Sequence, residues 1–434
     1  MIPQRLSSVS SLQWYRLIRY SFLLLTSILL AQLQVSQADI GGYELIFHLV
    51  YVLSFFWING VFQVVLIRSG QLEPPNFKKF LDSVWSLVLV LSACIGFLLW
   101  LLGDWGAQLL FGLEFVRYWN LYILLFVLSL GPLVYEYFLL ARRKYKALLW
   151  WGTISYSLHI LCTLLPFLWG YGFREMMLAH IGLSAIRLFI MAADLGFPRW
   201  RGVESSWWKA SGQLTMYSIL GGIPVAFDTW LVGYVSQSEG EIAIFRYGAR
   251  ELPLLMIILG SIHLIIISEQ GNMETLLSKI RSQIDRSMLG LAFLTGLLCL
   301  FSPWLFKIFF TERFVESAFI FNVYLLIILS RWNLSHTVMM RLEKYSLMNF
   351  VALGEVLLNV VLSVWWVQYW GWVGVALATV VAYLFEKIVF SLLLFKKEGI
   401  RFGQYMPVKA YLGSSLFILI CFIVGSFFLH QFPY

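Results

Sequence analysis

The chain has 434 residues, of which 60% are apolar and 12% charged, and its mean hydropathy is +0.80. Soluble globular chains carry about 25% charged residues, and a water-soluble fold cannot hide this much apolar surface. The composition specifies a polytopic membrane protein and excludes a soluble enzyme, a nucleic-acid binder and a disordered scaffold. The formal charge of +8, from 31 Lys and Arg against 23 Asp and Glu, is explained below by where the basic residues fall.

A helix needs about 20 apolar residues to cross the hydrocarbon core. Runs of that kind lie near 13–35, 43–66, 82–103, 118–140, 146–168, 177–196, 212–235, 244–267, 286–308, 317–340, 346–368 and 372–394. A thirteenth runs from about 410 to 430. The runs are continuous rather than alternating, which excludes a β-barrel. Arg16, Arg19 and the apolar run after them could pass for a signal peptide, but the next span follows at once and the first is expected to be retained. Cys94, Cys162, Cys299 and Cys421 stand far apart within apolar runs, so no metal or dithiol spacing exists. Asn333-Leu334-Ser335 matches a glycosylation sequon but falls inside a span.

Lys and Arg cluster at alternate span ends: Arg16 and Arg19, Lys78 and Lys79, Arg142 to Lys146, Arg199 to Lys209, Lys279 to Arg286, Arg341 and Lys344, and Lys396 to Lys409. The opposite ends hold Arg117, Arg174, Arg246 and Arg313. The positive-inside rule then predicts a cytoplasmic N-terminus. All loops are short, which leaves no room for a soluble catalytic or nucleotide-binding domain, and a non-enzymatic protein is expected.

An internal repeat of about 200 residues is legible. Asp39 to Glu44 opens the second span as Glu241 to Arg246 opens the eighth, at an offset of 202. Arg142-Arg143-Lys144-Tyr145 matches Leu342-Glu343-Lys344-Tyr345 at an offset of 200, and Gly172, Ala179 and Arg187 match Gly371, Ala378 and Glu386 at 199. Six spans per copy is an even number, so the repeat is parallel, about an axis along the membrane normal. The expected architecture is an all-α polytopic membrane protein: two six-helix lobes related by a parallel pseudo-twofold, twelve core helices plus a thirteenth. Its parts are an N-terminal lobe at 1–196, a cytoplasmic linker at 197–211, a C-terminal lobe at 212–395, and a basic loop with the extra helix at 396–434.

Phe227-Asp228-Thr229-Trp230-Leu231-Val232-Gly233-Tyr234, followed by Gly240 to Phe245, resembles the signature around the seventh and eighth spans of polysaccharide flippases. Ala243 and Phe245 stand where that family usually has Gly and Tyr, a form kept by Gly41 and Tyr43 in the first lobe. The superfamily is that of multidrug/oligosaccharidyl-lipid/polysaccharide exporters. The resemblance implies a flippase moving undecaprenyl-pyrophosphate-linked oligosaccharide across the bacterial inner membrane, in O-antigen, capsule or exopolysaccharide assembly. It also implies a proton or sodium gradient as the driving force, no cofactor, and a polysaccharide polymerase and glycosyltransferases as partners. The alternatives are a multidrug exporter of the same fold and, from a different class, a membrane polysaccharide polymerase or ligase.

An ionised side chain at mid-span costs about 2.5–3.5 kcal/mol on insertion scales, so each needs a reason. A pyrophosphate bearing sugars requires a cationic cavity, and arginine's fork suits phosphate oxygens. Arg187, Arg246, Arg250 and Arg331, with Lys387, are the substrate-binding candidates; the alternative for each is a structural ion pair. Asp228 and Glu136 are the ion-coupling candidates. Glu44 and His48 map onto Arg246 and Arg250 at the repeat offset, so Glu44, His48 and Arg246 are candidates for a gate near the outer surface. His159, His180, His263 and His336 are expected to be packing residues, and Glu251 lies near an outer end.

Overall fold

The computed structural model describes residues 8–69, 74–196, 205–250, 258–259, 262 and 272–430. Within them every regular element is helical, as a lipid-spanning chain requires, because a helix satisfies its own backbone polar groups. The first half runs α1 (Ser8–Gln32), α2 (Gln37–Ser69), α3 (Pro74–Leu102), a short α4 (Asp104–Phe111), α5 (Trp119–Ala141), α6 (Tyr145–Leu168) and α7 (Phe173–Leu195). Then come α8 (Ser205–Ser236), α9 (Glu239–Gly248), α10 (Met273–Phe310), a single 3-10 turn, α11 (Val315–Leu325), α12 (Ile328–Arg331) and α13 (Ser335–Arg341). The chain closes with α14 (Tyr345–Glu398), α15 (Phe402–Tyr405) and α16 (Val408–His430). Ten of the described helical segments are long and apolar enough to cross a membrane, and α16, the thirteenth expected span, is among them. The protein is an all-helical, multi-pass membrane protein.

The eleventh and twelfth spans, continuous in α14, are two helices as expected, parted at Gly371, whose φ of 54° and ψ of −138° are open to glycine at little cost. The tenth span is not one helix but α11, α12 and α13. Its backbone tightens to i→i−3 bonds at Leu326, Ile327, Leu329 and Ser330. Asn333 then turns its side chain inward, accepting from Ser335 N (3.1 Å) and donating to Ser391 Oγ (3.0 Å) and Lys387 O (3.3 Å). A side chain that competes for backbone groups breaks a helix without a proline. Most of the eighth span, with Glu251 and His263, lies outside the described residues, as does the expected linker up to residue 204.

The repeat is written in the backbone. Ser36 Oγ accepts from Asp39 N at 3.1 Å, and Ser238 Oγ accepts from Glu241 N at 3.4 Å, so both hairpin helices start on the same serine cap. The turns at Arg143 and Glu343 both have φ of 56°. Their bonds match as well: Lys144 N to Leu139 O at 2.9 Å, and Lys344 N to Met339 O at 3.1 Å.

Two compact units result: Met1–Gly222 with Thr229–Ala243, and Ile223–Asp228 with Ile244–Tyr434. In the first, α1 packs on α6, α2 and α3 pack on α5, and α7 packs on α5 and α6. Asp194 at the end of α7 ties the α5–α6 turn by binding Arg142, Lys144 Nζ (3.0 Å) and Tyr135 Oη (3.0 Å). In the second, α14 packs on α11, α12 and α13, and α16 packs along α10. There Cys299 and Cys421 share an apolar cluster with Leu325, and Tyr411 Oη donates to Leu329 O at 2.9 Å.

Candidate functional site

The first unit encloses a cavity of about 130 Å³ between α1, α2, α5, α6 and α7. Its polar lining is Arg19, Tyr43, Ser129, Glu136, Ser155, Tyr156, His159, His180, Ser184 and Arg187. Helical spacing puts them there: Arg19 and Leu23 on α1, Ser155 and His159 on α6, and His180, Ser184 and Arg187 on α7 each form an i, i+4 or i+7 stripe. Tyr156 Oη donates to Glu136 Oε1 at 3.5 Å and lies 3.3 Å from Tyr15 Oη. Arg187 Nη2 donates to Ser155 O, while its Nε has no hydrogen-bond partner. Tyr43 Oη is 2.9 Å from His159 Nε2, and the rings of His159 and His180 lie 4.5 Å apart. Thr163 Oγ1 donates to His159 O (2.9 Å) and sits 2.9 Å from His180 Nε2. A hydroxyl has one proton, so His180 is the donor in that pair. Two guanidinium groups face one carboxylate, which gives the cavity a net positive charge and room for a group the size of a phosphate.

The second unit buries a different cluster. Asp228 on α8 is 1% exposed and accepts through Oδ2 from Tyr324 Oη (3.2 Å) and from Thr379 Oγ1. Asn359 Nδ2 donates to Thr379 Oγ1 at 3.0 Å. Further along α14, Lys387 Nζ pairs with Glu386 Oε2 at 2.5 Å and lies 5.6 Å from the Phe390 ring. The Arg331 guanidinium stands 4.5 Å over Tyr383, a favourable cation–π geometry.

Among the residues singled out from sequence, Arg187 and Glu136 meet in the cavity of the first unit. Arg331 and Lys387 share the α12–α14 cluster of the second, where Lys387 is ion-paired with its own neighbour. Arg250 turns back on α9, donating through Nε to Arg246 O at 3.3 Å and standing 4.7 Å over the Tyr247 ring. Glu44 and His48 are buried in α2 of the first unit, and Arg246 belongs to the second. Arg19, Tyr43, Tyr156, His159 and His180 complete the cavity and were not expected in a site. Arg19 reads from sequence as one more basic span end, and the only signal for it is its spacing of four from Tyr15 and Leu23.

At one end of the first unit, Arg117, in the loop after α4, binds Asp39 Oδ1 (3.0 Å) on α2 and Glu239 Oε2 (2.5 Å) on α9. Partial burial opposes its charge, but the bonds and charges of Glu239 and Asp39 outweigh it and hold the guanidinium above its ordinary value.

No family model matches the chain, and no curated protein does. Solved structures do. A lipid II flippase MurJ in an inward closed conformation superposes with a TM-score of 0.68 at 16% identity, covering 98% of this chain and 92% of that one. A MOP superfamily transporter from Pyrococcus furiosus, described as having a binding pocket of reverse polarity, gives 0.62 at 14% identity over 95% and 96%. The Vibrio cholerae MATE transporter VcmN gives 0.57 at 16% identity over 89% and 94%. At such identities the likeness is one of fold alone, shared with this flippase and these transporters.

Proposed function

We propose that the protein is a flippase translocating undecaprenyl-pyrophosphate-linked oligosaccharide from the cytoplasmic to the outer leaflet of a bacterial inner membrane, by ion-coupled alternating access, for surface polysaccharide assembly. The observation that carries this reading is the first unit's cavity, where Arg19 and Arg187 face one carboxylate among hydroxyl and imidazole groups. Guanidinium forks match the oxygens of a diphosphate, and tyrosines and histidines suit the polar rim of a sugar. In this reading Arg187 and Arg19 take the phosphate, with Arg246, Arg250, Arg331 and Lys387 as further cationic positions along the path. Asp228, buried among hydroxyl and amide side chains, carries the coupling ion, with Glu136 as the second carboxylate. Glu44, His48 and Arg246 are the gate candidates, a role that a Glu44→Arg, Arg246→Glu swap tests by rescue of either single reversal. A polymerase and glycosyltransferases supply and consume the substrate.

The multidrug-exporter reading draws on the buried carboxylates Glu136, Asp228 and Glu355, which could receive a cationic drug. Deleting the gene separates the two. Loss of surface glycan, with lipid-linked oligosaccharide accumulating on the cytoplasmic leaflet, supports the flippase. Intact glycan with new sensitivity to cationic dyes rejects it in favour of the exporter.

A further inference from the structure

The repeat that relates the two halves also relates their polar interiors, and the comparison exposes a residue for which phosphate binding gives no use. Along α6 and the first part of α14 the offset is 200; along α7 and the second part of α14 it is 199. Thr163, His159 and His180 therefore correspond to Ser363, Asn359 and Thr379. The same helix positions meet in both units. The His159 and His180 rings lie 4.5 Å apart in the first, and their counterparts bond in the second, Asn359 Nδ2 donating to Thr379 Oγ1 at 3.0 Å. On the same helices Ser155, one turn from His159, and Arg187, two turns from His180, bond through Ser155 O and correspond to Glu355 and Glu386. A serine and an arginine have become two glutamates. The same place in the fold holds a cationic cavity in one unit and a carboxylate pair in the other.

Of those glutamates, Glu386 is paired with Lys387 at 2.5 Å. Glu355 is 2% exposed, and its Oε1 has no hydrogen-bond partner. The charged groups facing it are Glu386, Lys387 and Arg331. Other titratable or charged groups on elements against α14 are Glu316 and Tyr324 on α11, His336 and Arg341 on α13, and Asp228 on α8, which accepts from Thr379. A buried carboxylate oxygen without a donor is costly to keep in a membrane-spanning core, so it calls for a ligand. A hard metal cation would collect about six oxygens and would stand beside Lys387 and Arg331. A proton needs one oxygen and displaces no existing bond.

We propose, building on the transporter reading above, that Glu355 is a proton-binding residue of the second unit and works with Asp228 in coupling. The added proton forms an O–H on Glu355 Oε1 and leaves from there to water. Glu355 and Asn359 lie one helical turn apart on one face of α14, and Asn359 reaches Asp228 through Thr379. In the other direction, Asn333 bonds Ser391, and Tyr405 Oη donates to Ser391 Oγ at 2.9 Å. Buried polar groups thus continue from Asp228 past Glu355 to the basic end of α14.

The test uses the full chain purified into lipid vesicles. Acid-minus-base infrared difference spectra should show a protonated-carboxyl band in the wild type that Glu355→Gln removes and Glu355→Asp keeps at a shifted frequency. Driven by a pH gradient, movement of a fluorescent undecaprenyl-diphosphate glycan should fall at least about tenfold in Glu355→Gln, with its binding retained. Identical spectra for wild type and Glu355→Gln overturn the proposal. So does full transport on a sodium gradient that Glu355→Gln leaves unchanged. If the wild type moves no lipid-linked glycan while the band behaves as expected, the flippase reading fails and the proton site stands.

Discussion

Arg187 shows how far one residue can be read. Its charge inside an apolar run marks it from sequence alone, since such a residue is retained only for a reason. The structure adds that one arm of the guanidinium already holds Ser155 O while Nε is without a hydrogen-bond partner. Substitution by lysine keeps the charge but loses the planar fork, so Arg187→Lys should bind a polyprenyl diphosphate at least about tenfold more weakly at unchanged thermal stability, the interaction being worth about 1.5–3 kcal/mol. Arg187→Ala should be weaker still. Titrating detergent-purified variants with farnesyl diphosphate measures this directly, and equal affinities for wild type and both variants would return Arg187 to a purely structural role. The histidines were beyond sequence reasoning for a physical reason. A lone His in a span resembles a packing residue until a second helix brings His180 within 4.5 Å of His159, and no one-dimensional pattern records which helices touch.

At the scale of elements, the starts of α2 and α9 are held together by two unequal devices. Arg117 clasps Asp39 and Glu239, but the clasp is partly exposed, and such pairs contribute about 0–1 kcal/mol. Close packing contributes more: a Cβ on Gly41 would lie 1.7 Å from Glu239 O, a backbone atom that cannot swing aside. Gly41→Val should therefore disrupt this contact far more than Arg117→Ala. Paired cysteines at Gln37 and Gly240, where a Cβ on Gly240 would lie 3.4 Å from that of Gln37, leave Asp39, Glu239 and Arg117 in place; they should cross-link readily in the wild-type background, nearly as well with Arg117→Ala, and poorly with Gly41→Val. A cross-linking yield that collapses in Arg117→Ala and persists in Gly41→Val would reverse this ranking. The glycine at this junction falls within the offset-202 match legible in sequence, whereas the serine caps just upstream of it became apparent only from their bonds to Asp39 N and Glu241 N. The break of the tenth span was not, because it depends on where the Asn333 side chain finds Ser391 and Lys387 O, which are more than fifty residues away.

For the whole molecule, length, hydropathy and repeat period were enough to anticipate the class of fold, because lipid leaves few solutions other than bundled helices. They could not show that the two halves, alike in backbone, differ in the charge they bury. That difference sits in substitutions such as Ser155 against Glu355, which look like ordinary drift until the pairing is known. Orientation in the membrane rests on a separate argument. The turn at 142–144 and the segment at 399–407 lie at ends rich in Lys and Arg, while the segments at 112–118 and 311–314 carry Arg117 and Arg313 among Glu114 and Glu312. Basic residues are retained on the cytoplasmic side during insertion. Cysteines introduced singly at 143 and 402 should resist a membrane-impermeant maleimide in intact cells and react after lysis. Cysteines at 114 and 312 should react in intact cells. Labelling at 143 without lysis would invert the molecule, and with it the direction in which the positive cavity could load a substrate made in the cytoplasm.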